Sequence, residues 1–159
     1  MIFLKFTTEI KGDATVAGYE DQIKLTSVSF GANRTVASVA GSSARETGSP
    51  AFTELQCAKD FDIASTELFM QSVSGASLQG ATLTYLQTDN EGNPQVYLTV
   101  TLVDPIVTSY SQSSMGDSKP CENFTLNFTE IKMAYTKYDG DSAKKATEKG
   151  WNLSEQKAA

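Results

Sequence analysis

The feature that most constrains this chain is a two-residue alternation of apolar and polar side chains that changes phase inside single segments. In the opening stretch Ile2, Leu4 and Phe6 share one face while Phe3, Lys5 and Thr7 share the other, the pattern of a β-strand. Between Gln22 and Gly31, Ile23 and Leu25 keep one parity, and Val28 and Phe30 take the opposite one. The same slip recurs between Glu122 and Tyr138, where Phe124, Leu126 and Phe128 give way to Ile131, Met133 and Tyr135. A one-residue slip turns the whole apolar set to the other side. Each segment therefore needs a bulge or bend, as a strand has when it passes between sheets or rounds a barrel corner.

The remaining segments extend this β pattern. A short strand spans Phe52 to Ala58. Thr82–Leu86 and Val96–Leu102 alternate around the turn Asp89-Asn90-Glu91-Gly92-Asn93-Pro94, with Val96, Leu98, Val100 and Leu102 inward, which predicts a hairpin. Pro105 breaks the ladder before a strand from Ile106 to Ser114. One helix is expected over 65–75: Ser65 suits the N-cap, Glu67 the first turn and Gly75 the C′ position. Its stripe of Leu68, Phe69 and Val73 is read as packing on the sheet. Residues 33–50 are small, polar and Gly/Ser-rich, too long for a tight connection, and predict a projecting loop. From Asp139 the chain is charged and reads as a tail. The fold expected is mainly β, an antiparallel β-barrel of two curved sheets with one short α-helix. It forms a single domain over 1–138 with a C-terminal tail over 139–159.

Composition narrows function by exclusion. Among 159 residues there is no histidine, and 13 Lys+Arg stand against 19 Asp+Glu, a net charge of −6. Without histidine the Ser-His and Cys-His dyads and most zinc sites fall away, so no metal or cofactor is expected. The acidic balance argues against nucleic acid as a partner. Asp60/Asp62 suit turn and cap positions, Asp89/Glu91 sit in a hairpin tip, and no phosphate-binding, dinucleotide or nucleophile-elbow motif occurs. No catalytic residue is assigned, and the chain is read as a non-enzyme. Cys57 and Cys121 lack metal spacing and read as reduced thiols, although a bridge between them stays open. Lys5 interrupts the apolar start and no basic segment precedes it, so a cleaved signal peptide is not expected. No window approaches the ~18 consecutive apolar residues of a membrane helix, so membrane insertion is not expected either.

Several pieces, taken in order, carry a family likeness. They are Ile2-Phe3-Leu4-Lys5-Phe6, a second strand ending Ser29-Phe30-Gly31, the small-residue loop and the capped helix. Glu122-Asn123-Phe124-Thr125-Leu126-Asn127-Phe128 and the terminal Gly150-Trp151-Asn152 complete them. The sequence resembles the haemolysin-coregulated protein (Hcp) family, the tube subunits of bacterial type VI secretion systems, over nearly its whole length. It departs at Val28 and Phe30, where the family often has Trp or Tyr. The resemblance implies a homohexamer whose rings stack on further rings into a tube. It also implies sheath, spike and baseplate proteins as partners, and effector proteins carried in the lumen. Made in the bacterial cytoplasm, such a protein is exported extracellularly or into target cells. The outward serines Ser27 and Ser29 match the place that faces the lumen in the family. In the 33–50 loop, Val39, Arg45 and Glu46 are the candidates for ring stacking and neighbour contact. Trp151 is read as an anchor folding the tail onto the barrel, with an exposed partner contact as the alternative. A phage-type tail-tube protein and a monomeric β-barrel binding module remain open as other readings.

Overall fold

The computed structural model describes residues 1–38 and 45–159. Along the chain, β1 (Ile2–Phe6), β2 (Ile23–Leu25) and β3 (Ser27–Ser29) precede a hairpin of β4 (Ala32–Ser38) and β5 (Arg45–Phe52). Next come β6 (Leu55–Asp60), helix α1 (Ser65–Ser74), β7 (Gly80–Thr88), β8 (Pro94–Val103) and β9 (Ile106–Ser113). The chain ends with β10 (Cys121–Asn127), β11 (Glu130–Asp139), β12 (Ser142–Asn152) and β13 (Lys157–Ala158). A seven-stranded sheet runs β13-β12-β11-β8-β7-β1-β2, and a four-stranded sheet runs β3-β6-β10-β9. The β4–β5 pair stands apart as a two-stranded arm.

Both phase slips mark the passage from one sheet to the other. At Thr26 the chain leaves β2 in the large sheet and enters β3 in the small one; at Phe128–Thr129 it crosses back from β10 to β11. Between the sheets, Leu4, Leu83, Val100 and Leu102 pack against Leu55, Cys57, Phe124 and Leu126. A second cluster lies on the other face of the large sheet. There the β1–β2 connection folds back so that Tyr19 stacks on Phe3 at 5.2 Å, beside Ala14 and Leu86. A bulge between Tyr85 and Leu86 sends Val96 to this second cluster, away from the side expected for it.

The mainly β, antiparallel expectation holds, with five corrections. Among the described residues the two sheets stay separate layers and do not close into one barrel. Residues 33–50 hold most of a hairpin rather than a loop, with Ala32 opposite Phe52 and Ala37 opposite Glu46. The expected tail is largely strand: β12 pairs with β11 from Asn152–Glu130 to Ser142–Asp139, so the sheet continues well past residue 138. In the helix, Gly75 takes the left-handed φ of 65° as expected, but Ser65 is its first residue and not its cap. Of the apolar stripe only Leu68 is buried, while Phe69 and Val73 face solvent.

Candidate functional site

The small sheet presents one face to the core and one to solvent, and the solvent face is built almost wholly of small uncharged polar side chains. Strand alternation does this: Leu55, Cys57 and Lys59 of β6 turn inward, so Gln56 and Ala58 turn outward. On β10, Glu122, Phe124 and Leu126 turn inward and leave Asn123 and Thr125 outside. The register lines these residues up in two rows. One row is Ser27–Ala58–Asn123–Ser111, and the next is Ser29–Gln56–Thr125–Ser109. Four strands at about 4.8 Å spacing make a wall about 14 Å across. It holds a shallow depression of about 260 Å³. Thr125 Oγ1 lies 2.7 Å from both Ser109 Oγ and Thr108 Oγ1, and Thr108 donates to Glu54 Oε2 at 2.8 Å. Glu54 and Asp60 sit at opposite ends of β6, so acids bound the wall without entering it.

Ser27 and Ser29 are both exposed on this face, with Val28 turned to the core as the alternation required. Arg45 and Glu46 lie elsewhere, exposed on the arm opposite Ser38 and Ala37, and are not brought near the serines. Val39 lies outside the described residues. Trp151 sits within β12, opposite Ile131 and Ala158, half-buried in an apolar hollow with Phe30, Phe52 and Met133. Its indole N–H is enclosed without a hydrogen-bond partner among the described residues.

Behind the wall lies a charged cluster that the sequence reading missed. Lys59 and Glu122 face each other across β6 and β10 and are both fully buried, Nζ to Oε1 at 2.5 Å. The ammonium also reaches Asp62 Oδ1 at 2.6 Å, the Asp60 carbonyl at 3.0 Å and Ser65 Oγ at 3.1 Å. Asp62 in turn accepts the Ala64 N–H, and Ser65 Oγ accepts the Asp62 N–H, so the start of α1 is tied to the sheet through this cluster. Tyr110 donates to Glu122 Oε2 at 2.7 Å. Burial first, and then that hydrogen bond and the carboxylate charge, push the Tyr110 phenol well above its usual range. A signal for the cluster existed. Lys59 and Glu122 occupy inward positions of two strongly alternating strands, where a charge must find a partner. Cys57 is buried and Cys121 exposed, and both are free thiols. Burial raises the Cys57 thiol far beyond the range of a reactive cysteine.

Two packed antiparallel sheets, a neutral hydroxyl wall on the smaller one and a projecting two-stranded arm define the class: a mainly β, antiparallel two-sheet protein. A family model described as "Type VI secretion system effector, Hcp" matches residues 3–135. The chain belongs to the Hcp family of type VI secretion proteins. It is similar to the protein hcp1 of Pseudomonas aeruginosa, 33% identical over 103 residues, a stretch covering 63% of this chain and 63% of that relative's length. It also resembles Hcp1 from Salmonella typhimurium at 26% identity and a TM-score of 0.81, covering 99% of this chain and 97% of that one. A solved type six secretion system protein shares the fold with a TM-score of 0.90 at 21% identity, over 99% of this chain and 98% of that one.

Proposed function

We propose that this chain is a structural subunit of a type VI secretion tube, in which copies assemble side by side into a hexameric ring and the rings stack. The observation that carries this reading is the wall. A lone soluble domain with net charge −6 has no need for a sheet face free of charge, whereas a conduit has. Small hydroxyls and amides give a hydrated surface with no long side chains to snag a passing protein. Lined by six such walls, the ring holds effector proteins in its lumen before export, with Ser27 and Ser29 among the residues that face them.

The arm supports the same reading. A two-stranded ribbon is marginal by itself, and from Asn33 to Ser49 the described side chains of this one are exposed. Packing on a neighbour in the ring, or on the next ring, supplies what it lacks, with Arg45 and Glu46 as its charged contacts. Sheath, spike and baseplate proteins are the further partners of such a tube. The protein is made in the cytoplasm and exported with the tube.

Light scattering tests the assembly: the expected mass is that of six chains, with a ring in electron micrographs. A strictly monomeric mass over a wide concentration range would return the chain to the binding-module reading. Ser29→Gln tests the wall: the ring is expected to persist and cargo co-purification to fall. Undiminished cargo refutes the assignment of Ser29.

A further inference from the structure

The free edge of β12 is a basic stretch in an acidic chain. Over Ser142–Asn152 the lysines Lys144, Lys145 and Lys149 stand against one acid, Glu148, while the whole chain carries −6. The register sets Lys137 of β11 directly opposite Lys145, Tyr135 opposite Thr147 and Met133 opposite Lys149, all on one face. Glu148 turns to the other face. Lys137, Lys145 and Lys149 are exposed and form no ion pair among the described residues, although Lys144 beside them reaches Asp139 at 3.9 Å. Like charges directly opposite across two strands are destabilising, so the Lys137–Lys145 pair calls for an anion. The edge also has main-chain groups to offer. The Gly150 carbonyl accepts the Ala159 N–H at 3.1 Å, which fixes the side of β12 that faces away from β11. Alternation then points the N–H and C=O of Ala146 and Glu148 to that same side. There β13, paired only at Trp151 and Asn152, does not cover them.

We propose that this edge takes an extended acidic segment of another protein as an added strand. Main-chain pairing at Ala146 and Glu148 holds the segment, and two carboxylates on one of its faces select it. Strand periodicity sets their spacing. The positions opposite Lys145 and Lys149 share a face and have one same-face position, opposite Thr147, between them. The carboxylate beside Lys145 also relieves its repulsion with Lys137, which no described carboxylate does. Charge complementarity chooses this occupant. Lysines keep neutral and basic strands off such an edge, and they admit one whose acids neutralise them. A nucleic acid would meet the lysines but leave those main-chain groups unpaired. The inference goes beyond the tube-subunit reading and does not rest on it.

The test uses the whole chain in its native assembly and a fluorescein-labelled peptide, Ser-Glu-Thr-Val-Thr-Glu-Ser, with its Gln-for-Glu counterpart as control. Fluorescence anisotropy is expected to show the acidic peptide binding at least about tenfold more tightly than the control, and weakening as salt rises from about 50 to about 300 mM. Lys145→Glu with Lys149→Glu is expected to lose the acidic peptide and to gain one with Lys in place of Glu, while keeping the parent's mass and circular dichroism. Hydrogen exchange at the Ala146 and Glu148 amides is expected to slow at least about tenfold in the complex. Equal binding of the two peptides, or no binding up to about 1 mM, overturns the inference. Binding that leaves those two amides unprotected overturns it in favour of surface adsorption, and equal binding of a dT oligonucleotide overturns it in favour of a polyanion. A changed mass of the lysine variant also overturns it, because the edge is then already covered in the assembly. Should the variant fail to fold, the peptide comparison and the exchange on the parent protein decide. A monomeric parent that binds the acidic peptide in this way supports the inference while failing the tube reading.

Discussion

Replacing Lys59 by Met is expected to cost far more stability than neutralising its partner. Lys59 is one cation facing two carboxylates, with side-chain exposures of 0% for Lys59, 0% for Glu122 and 10% for Asp62. Lys59→Met strands both acids. Glu122 keeps only the Tyr110 hydroxyl, and Asp62 keeps the Ala64 N–H. Leaving a buried charge without its partner costs about 3–5 kcal/mol. Glu122→Gln is milder. The amide oxygen still accepts from Lys59, the amide nitrogen meets the Tyr110 oxygen, and the ammonium retains Asp62. What is lost is the charge assistance of two hydrogen bonds, about 1–2 kcal/mol. The assay is urea unfolding followed by Trp151 fluorescence and circular dichroism. All variants must be compared at one protomer concentration, because association adds to apparent stability. Two variants within about 1 kcal/mol of each other would refute the reasoning, since the structure assigns them unequal numbers of stranded charges.

Gly12→Ala is expected to lower stability by about 1–3 kcal/mol, the usual range for an overpacked site. A Cβ there would lie 2.4 Å from the Gln22 carbonyl oxygen and 2.6 Å from Ile23 Cα, so backbone must move. An unchanged urea midpoint would contradict that. Alkaline titration at the tyrosinate absorbance should show Tyr85 and Tyr110 ionising late. Burial, then the Cys57 and Tyr97 charges, push Tyr85 up to about 12, and burial with Glu122 raises Tyr110 further. Folded values above the unfolded ~10 mean that the protonated phenols contribute fully below that pH, and that the contribution is lost as pH rises through the folded values. Tyr110→Phe should remove one late step, and a single transition near pH 10 would count against both assignments.

How much of this was legible in the sequence depends on whether an element buries a face. The two parity slips located the crossings between sheets to within a residue or two, because Ile23/Leu25 and Phe124/Leu126 each had one core to face. The arm and β12 were invisible for the converse reason. Ladder pairing holds them, and from Ser142 to Lys149 every side chain is exposed, so no alternation is written there. Lys144, Lys145 and Lys149, read as a solvated tail, lie on a strand that β13 covers only at Trp151 and Asn152. Lysines on such an edge discourage pairing with stray chains. The helix misled in another way: spacing identified an apolar stripe but not what it faces. The wall was half legible. Ser27 and Ser29 followed from parity, but their row partners Gln56, Asn123 and Thr125 needed the register.

The wall and the buried cluster are two sides of one alternation, which gives the Lys59–Glu122 pair a role beyond stability. The pair is directly cross-strand, and its neighbours Ala58 and Asn123 are paired on the outer face. A slip of β10 by one residue would turn Glu122 onto the wall and press Asn123 into the core. Leu55, Cys57, Phe124 and Leu126 discriminate poorly against such alternatives, since apolar contacts are non-directional. A buried ion pair satisfies only one register. If that is its role, Lys59→Leu with Glu122→Leu should retain stability to within about 2 kcal/mol, as apolar replacements of buried pairs often do. The same double variant should lose uniqueness, seen as bimodal hydrogen exchange in peptides from β10. Unimodal exchange like the parent's would show that the strands find their register without the pair.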